Sequence, residues 1–339
     1  MALRIVQVGA GGWGAGWLEF IHKTAGCELA GLVSRGGANL AAAKDRWKIP
    51  DDRCFTDLAA ALRLQADLFL IAVPHHLHME LARRIVAAGH NVLIEKPLAD
   101  RFEPARELAE FLAGRSQKAW VSQNFRFRPE LWAMRASLTD AAAGSPQWAE
   151  VRFRTGPNCR TPPAWRTDGW RGKQWSFLLQ EITIHHFDMC RFLFDREAVS
   201  IHCCPFRPAW AASRGPEGLF AAIAFEGGLV VNYSGTADAL GLDTGWAGHW
   251  LVQTDRGSIA WEGDRLALLP ASDAAPKLAE GRDFPGFDRE GVLREIQAAL
   301  GGRACAVPTV ADNLRSFALV CAAERSVREG RTVQLSEFP

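Results

Sequence analysis

Short apolar runs alternate with helical patterns through the first third of the chain. Residues 68–73 and 92–94 are wholly apolar, which is typical of strands buried on both faces of a parallel sheet. Residues 3–8 form an earlier strand candidate, and apolar positions recur at helical spacing over 13–23. This alternation predicts an α/β fold that begins with a doubly wound parallel (Rossmann) sheet.

After about residue 145 the pattern changes to short β-rich segments. Turn residues such as 255–257 separate pairs of these segments, as in antiparallel hairpins. We therefore expect a dinucleotide-binding domain over 1–123 and a substrate and oligomerisation domain over 124–339. The second domain is predicted to be α+β, with a large, mostly antiparallel sheet and a last helix over about 309–329.

Composition and charge exclude several classes of protein. The 339 residues suffice for two domains, and 48% hydrophobic with 23% charged residues is ordinary for a globular protein. A net charge of +1 provides no basic field for nucleic acid or an anionic membrane. No apolar run reaches bilayer length and no signal peptide precedes the first strand, so we expect a cytoplasmic location. The eight cysteines are scattered without a CxxC pair, so we expect no metal.

A glycine-rich motif follows the first predicted strand directly and begins the first predicted helix. It reads GAGGWG and matches GxGxxG. The first glycine permits a tight turn, the second lets a pyrophosphate approach the backbone, and the third allows close packing of helix on strand. The helix N-terminus adds N–H donors for an anion. The predicted dinucleotide contacts are Gly9, Gly11, Gly12, Trp13 and Gly14.

The end of the second strand bears on the choice of cofactor. An NAD site usually carries an acidic residue there to bind the ribose hydroxyls, whereas this chain has Ser34 and Arg35. A guanidinium binds a 2′-phosphate bidentately, and a carboxylate would repel it. The sequence favours NADP(H) and leaves NAD(H) open. Arg35 as a solvated loop residue, or stacked on the adenine of either cofactor, is the alternative.

Two ionisable residues, Glu95 and Lys96, stand at the end of the buried strand over 92–94. Ligands bind at this edge of open α/β sheets. Pro97 restricts Lys96 to an extended backbone and so determines where its side chain points. A surface Glu–Lys pair is the alternative interpretation.

Three histidines in four positions follow the buried strand over 68–73. Their spacing does not place them on one helical face, and no matching carboxylate or cysteine cluster stands out, which argues against a metal. We expect instead a loop packed near the cofactor, with His78 at a helix start. The predicted cofactor contacts here are Pro74, His75 and His78.

A helix expected over about 177–194 carries two acidic residues with a histidine between them. Glu181, His185 and Asp188 stand at i, i+4 and i+7 and so share one helical face. A carboxylate beside a histidine orients the ring and raises its basicity, which suits general acid–base catalysis. The same pattern suits a satisfied structural cluster, and the residues alone leave both open.

The combined motifs resemble the glucose–fructose oxidoreductase / inositol dehydrogenase / MocA family of dehydrogenases. Their order and intervals fit over nearly the whole chain, so the resemblance implies the two-domain fold and reversible alcohol–ketone oxidoreduction with a nicotinamide cofactor. The matching elements are GAGGWG at 9–14, VPHHLH at 73–78, EKP at 95–97, NFRFRP at 124–129, IHHFD at 184–188 and the stretch 310–331.

The resemblance also implies roles for individual residues. Lys96 matches the lysine that exchanges a proton with the substrate hydroxyl, and His185 matches its partner or an alternative acid–base group. Glu181 stands where many members have Asp, and the segment 175–177 replaces a usual Gly-rich stretch. The remaining predicted contacts are, to the cofactor, Glu95, Lys96, Trp165 and Arg166 and, to the substrate, Arg126, His186 and Asp188. For Arg126 a structural role is the alternative.

The substrate expected by analogy is a small sugar, sugar derivative or cyclitol. Two alternatives stay open: a redox-assisted glycosidase that retains its nucleotide, and a non-catalytic NAD(P)-sensing regulator. A regulator would have no need of Lys96 and His185, which argues against it. The resemblance implies a homodimer or homotetramer, and we expect neither a nucleic-acid nor a membrane partner.

Overall fold

The computed structural model groups the chain into two compact units. The first comprises Met1–Phe127 with Pro285–Leu314, and the second Arg128–Phe284 with Arg315–Pro339. Residues 285–314 thus group with the N-terminal segment. The predicted division at residue 123 placed them in the second domain. The structure describes residues 2–139, 143–156, 175–211, 215–271 and 284–339.

The first unit contains a six-stranded sheet in the order β3-β2-β1-β4-β5-β6, with every pair parallel. Every residue of β4, β5 and β6 is buried, which explains why these strands are apolar except for Glu95 and Ser122 at the ends of β5 and β6. The strand order reverses between β1 and β4, and such a switch point is where open α/β sheets bind ligands. The strands are β1 Leu3–Val8, β2 Cys27–Val33, β3 Cys54–Phe55, β4 Leu68–Ile71, β5 Val92–Glu95 and β6 Ala119–Ser122.

Helices connect the strands of the first sheet, and α1 shows how such a helix packs. In the first helix the buried positions are Gly14, Trp17, Leu18 and Ile21, the spacing of an amphipathic helix. No helix of the described residues is long and apolar enough to cross a membrane. The helices are α1 Trp13–Lys23, α2 Ala38–Trp47, α3 Leu58–Ala61, α4 His78–Ala87, α5 Phe102–Leu112, α6 Pro129–Thr139, α7 Thr183–Phe194, α8 Asp288–Leu300 and α9 Val310–Glu329.

The second unit contains an eight-stranded sheet in the order β13-β12-β11-β7-β10-β9-β8-β14. All neighbours are antiparallel except β7 and β10. All twelve residues of α7 are buried. The predicted α/β fold with a parallel sheet and a large, mostly antiparallel sheet is confirmed. The strands are β7 Pro146–Arg154, β8 Ala198–Phe206, β9 Gly218–Phe225, β10 Val230–Thr236, β11 His249–Thr254, β12 Gly257–Glu262, β13 Arg265–Pro270 and β14 Val333–Gln334.

Candidate active site

The turn between β1 and α1 depends on two close backbone approaches. Gly9 has a φ of +109°, and a Cβ there would overlap the carbonyl oxygen of Ala72. A Cβ on Gly14 would overlap the carbonyl oxygen of Gly9, so α1 packs this close to β1 only with glycine. Around Gly12 the described residues leave the Cβ position free of contacts within 4 Å. The turn is therefore tight on its inner side and open at Gly12.

A buried glutamine on β1 holds this turn. The side-chain Nε2 of Gln7 donates to the carbonyl oxygens of Gly9 and Gly14, at 2.7 Å each. Sequence analysis missed Gln7, although a polar residue in a buried strand was a visible signal. Helix α1 begins with no side-chain cap and no acidic residue in its first turn. Its N-terminus therefore suits an anion such as a pyrophosphate.

The end of β2 lies beside the glycine turn. The backbone N–H of Gly9 donates to the carbonyl oxygen of Val33 at 2.8 Å. Ser34 is half-buried and Arg35 is exposed. Helix α2 begins after Gly37 and carries no acidic residue in its first turn. The first turn of α2 thus carries no carboxylate that would oppose a bound phosphate.

Glu95 ends β5, and its buried carboxylate holds two groups in place. Oε1 accepts a hydrogen bond from the indole Nε1 of Trp17 at 2.7 Å, and Oε2 accepts one from the backbone N–H of Lys96 at 2.9 Å. Burial raises the pKa of Glu95. Lys96 is half-buried, and a cis peptide bond joins it to the following proline. Its Nζ lies 5.9 Å from the ring centroid of Trp13, which places the ammonium beside the glycine turn.

Arg289, at the start of α8, also lies against α1. Its guanidinium carbon lies 4.8 Å from the ring centroid of Trp13, 5.3 Å from that of Trp17 and 5.5 Å from that of Phe20. The attraction of this guanidinium opposes the effect of burial on the pKa of Glu95. Sequence analysis missed Arg289, because an arginine near a helix start gives no signal of a buried position.

His78 links the segments that follow β4 and β5. Its Nε2 lies 2.8 Å from the carbonyl oxygen of Val73, and its Nδ1 lies 3.1 Å from that of Pro97. Burial lowers the pKa of His78 to about 4, so the neutral ring donates through one nitrogen. Pro74 and His75 are half-buried on the same loop. Among the described residues no group of three His, Cys, Asp or Glu could hold a metal ion.

The predicted acid–base helix of the second unit begins with a π-helical turn, Leu178–Ile182, that continues into α7. A π-turn holds more residues than an α-turn and is frequent at functional sites. The regular helical spacing expected for Glu181, His185 and Asp188 therefore does not extend over the whole segment. Glu181 and His185 are both buried.

Two side chains cap the start of that π-helical turn. The carboxylate of Glu217 accepts hydrogen bonds from the backbone N–H of Phe177 at 3.0 Å and of Leu178 at 3.2 Å. The hydroxyl of Ser176 accepts one from the N–H of Leu179 at 3.2 Å. The segment 175–177, predicted to replace a Gly-rich stretch, thus leads into a capped helix start. Sequence analysis missed Glu217, because its partners lie forty and thirty-nine residues away.

His186 and Asp188 make polar contacts inside the second unit. The ring of His186 lies with Nδ1 3.0 Å from the hydroxyl of Tyr233 and Nε2 2.9 Å from the carbonyl oxygen of Trp246. Burial lowers the pKa of His186 to about 4. Oδ1 of Asp188 accepts the hydroxyl hydrogen of Ser316 at 2.7 Å. A substrate contact from either residue stays a prediction.

Arg126 belongs to the first unit and is buried. Its guanidinium donates to the carbonyl oxygen of Ala306 at 3.0 Å and to Oδ2 of Asp312 at 3.1 Å. Its predicted substrate contact also stays a prediction. Trp165 and Arg166, predicted to contact the cofactor, lie outside the described residues.

Residues 3–123 match the GFO_IDH_MocA family, described as an oxidoreductase family with an NAD-binding Rossmann fold. This segment belongs to that oxidoreductase family. The whole chain is 27% identical over 355 residues to a D-apiose dehydrogenase from Paraburkholderia graminis, covering 98% of this chain and 89% of the relative. An inositol 2-dehydrogenase from Corynebacterium glutamicum is 28% identical over 238 residues, which cover 68% of this chain and 66% of the relative.

A solved structure shares the complete fold. An oxidoreductase from Agrobacterium radiobacter, in complex with NAD⁺, L-tartaric acid and magnesium, matches 100% of both chains with a TM-score of 0.86 at 22% sequence identity. The family predicted from the motifs is confirmed by the family match over residues 3–123. So is the prediction of an enzyme, an oxidoreductase with an NAD-binding Rossmann domain.

Proposed function

We propose that this protein is an NAD(P)-dependent dehydrogenase that interconverts an alcohol and a ketone in a small polyhydroxylated molecule. The position of Lys96 carries the proposal. Its Nζ lies 5.9 Å from the ring centroid of Trp13, the first residue of α1 in the glycine turn. An amine beside the dinucleotide turn is suited to move a proton while the cofactor moves a hydride.

The glycine turn fits a dinucleotide. Gly9 and Gly14 permit the close packing of β1 against α1, the space at Gly12 is open, and the helix N-terminus carries no acid. The turn would hold the pyrophosphate through backbone N–H groups. When bound, the nicotinamide supplies the hydride acceptor or donor. Ser34 and Arg35 favour NADP(H), with NAD(H) as the alternative.

The chain's own residues would move the proton and hold its donor. In oxidation the uncharged amine of Lys96 would accept the hydroxyl proton while the carbon gives its hydride to the oxidised nicotinamide, and in reduction the ammonium of Lys96 would return that proton. The carboxylate of Glu95 fixes the backbone of Lys96. His185 with Glu181, from the second unit, is proposed as a further acid–base pair.

The names of the two relatives support the substrate class. Apiose and inositol are both small polyhydroxylated compounds, and the relatives named for them match this chain at 27% and 28% identity. A sugar, sugar derivative or cyclitol is therefore the proposed substrate. From the family resemblance we also propose a homodimer or homotetramer, located in the cytoplasm. Light scattering of the purified protein tests the number of subunits.

The first experiment measures cofactor choice. Protein freed of retained nucleotide is titrated with NADPH and with NADH, using energy transfer from its tryptophans. We expect tighter NADPH binding, and Arg35→Gln to weaken it roughly 10- to 100-fold, the value of one or two charge-assisted hydrogen bonds. Arg63→Gln, at an exposed position of the same unit, is the control. Tighter NADH binding would assign NAD(H) instead and leave the oxidoreductase proposal standing.

The second experiment tests the proton transfer. With a substrate found by screening sugars and polyols, Lys96→Met should lower kcat by about 10²- to 10⁴-fold and leave NADPH binding intact. The matched control is Lys118→Met. Lys118 is exposed and precedes the first residue of β6, whereas Lys96 follows the last residue of β5. Full turnover by Lys96→Met refutes the role of Lys96. Absence of binding to both dinucleotides refutes the whole proposal.

A further inference from the structure

Arg289 carries a charge in a buried position. Its residue surface is only 7% exposed, and among the described residues its Nε finds no hydrogen-bond partner. The rings of Trp13, Trp17 and Phe20 surround the guanidinium instead. A Cβ at Gly16 would lie 2.7 Å from its Nη1, so this glycine makes room for the arginine on the face of α1. A buried charge is costly unless other groups compensate for it.

Two kinds of group compensate the charge of Arg289. The aromatic faces of Trp13, Trp17 and Phe20 attract a cation through the negative face of each ring. The second is the carboxylate of Glu95, which is itself buried. The guanidinium of Arg289 lies 5.3 Å from the ring centroid of Trp17, whose indole N–H donates to Glu95. From this position its positive charge opposes the effect of burial on the pKa of Glu95. The two buried charges therefore depend on each other.

We propose that Arg289 is a positioning residue for Lys96 and that it acts through the carboxylate of Glu95. The ionised carboxylate accepts at both oxygens, one from Trp17 and one from the backbone N–H of Lys96. A protonated carboxyl group has one hydroxyl oxygen and is a weaker acceptor at that position. By keeping Glu95 ionised, Arg289 keeps the backbone of Lys96 in place. The purpose of this arrangement rests on the function proposed for Lys96.

The arrangement contrasts with the other arginine of α8 nearby. Arg294 pairs with Glu290 across 2.6 Å on the exposed side of the helix. Such a surface pair contributes little and is screened by salt. Arg294→Met is therefore the matched control for Arg289→Met, since both remove a guanidinium from the same helix.

The test measures hydrogen exchange of the Lys96 backbone amide in the full chain, at single-residue resolution and pH 7. Arg289→Met should lower the protection of this amide about 10- to 100-fold, the effect of a weakened charge-assisted hydrogen bond. Arg289→Lys, which keeps the charge, should retain most of it, and Arg294→Met all of it. Arg289→Gln replaces the methionine variant if that protein does not fold.

A double variant isolates the route through Glu95. Glu95→Gln should lower the protection of the Lys96 amide by itself, and adding Arg289→Met should lower it no further. Unchanged protection in Arg289→Met overturns the proposal. So do equal losses in Arg289→Met and Arg289→Lys, or losses that add to those of Glu95→Gln.

This measurement needs neither substrate nor cofactor, so it stands apart from the proposed function. Failure of the proposed function appears as absent dinucleotide binding or as full turnover in Lys96→Met. If that function holds, Arg289→Met should lower kcat and leave the KM for NADPH unchanged. A rise in the KM for NADPH with unchanged kcat would instead assign Arg289 to cofactor binding and overturn the positioning role.

Discussion

Acidification should destabilise the second unit through His186. The ring is fully buried, and burial lowers its pKa from 6.5 to about 4. In the unfolded chain the same imidazole takes up a proton below its ordinary pKa, while in the folded chain it stays neutral down to about pH 4. The unfolded state therefore binds more protons in this interval, and the free energy of unfolding falls as the pH is lowered.

The two pKa values determine the size of the effect. Once the pH lies below both, a difference from 6.5 to about 4 amounts to about 3 kcal/mol. Proton linkage places about 2 kcal/mol of this loss between pH 8 and pH 5. Stability from this residue is complete above pH 6.5 and declines through the interval down to about pH 4.

Urea unfolding at pH 8 and at pH 5, followed by circular dichroism, measures this loss. His186→Gln should be less stable at pH 8, because the Tyr233 hydroxyl and the Trp246 carbonyl lose their partner, at a cost of about 1–3 kcal/mol. Its loss between pH 8 and pH 5 should be smaller than that of the wild type by about 2 kcal/mol. His202→Gln, at an exposed histidine of the same unit, should keep the wild-type difference. Equal pH dependence of His186→Gln and the wild type would refute the reasoning.

Three further substitutions test the glycine turn, the end of β5 and the capped helix. Gly14→Ala forces a Cβ against the carbonyl oxygen of Gly9 and so distorts the turn. The affinity for NADPH, measured by fluorescence titration, should fall at least about tenfold while the circular dichroism spectrum stays the same. Unchanged affinity would contradict this. Trp17→Phe removes the indole N–H from the carboxylate of Glu95 and should cost about 1.5–3 kcal/mol in urea unfolding, where a neutral result would count against that hydrogen bond. Glu217→Gln removes the negative charge at the π-helical start and should cost about 1 kcal/mol in the same assay; wild-type stability would show that this charge does not matter.

The first sheet was predictable from sequence because it is buried on both faces. Strands β4 and β5 have no solvent-facing side, so their residues are apolar up to Glu95, which ends β5. The glycine turn was predictable because its steric demands act on neighbouring residues: the closest atoms to Gly14 belong to Gly9 and Gln7. Signals of this kind are local, and a single sequence displays them directly.

Contacts over long sequence separations could not be predicted. The carboxylate of Glu217 reaches Phe177 across forty residues, and Arg289 reaches α1 because residues 285–314 return to the first unit. The π-helical turn at Leu178–Ile182 has no mark in the hydrophobic pattern, and it interrupts the regular spacing on which the grouping of Glu181 with His185 was based. Each depends on the tertiary fold rather than on local propensity.

The contacts described for Lys96 all come from the first unit. Three contacts bear on Lys96: the carboxylate of Glu95 holds its backbone N–H, Nδ1 of His78 lies 3.1 Å from the carbonyl oxygen of the following Pro97, and the ring of Trp13 lies beside its ammonium. All of these groups belong to the segment 1–127, which also contains the glycine turn. The parts proposed to bind the dinucleotide and to move the proton thus both follow strands of one sheet, β1 and β5. Residues positioned by the strands of a sheet keep their geometry better than residues on long loops. Transfer of a hydride and a proton in one reaction requires such precise positioning.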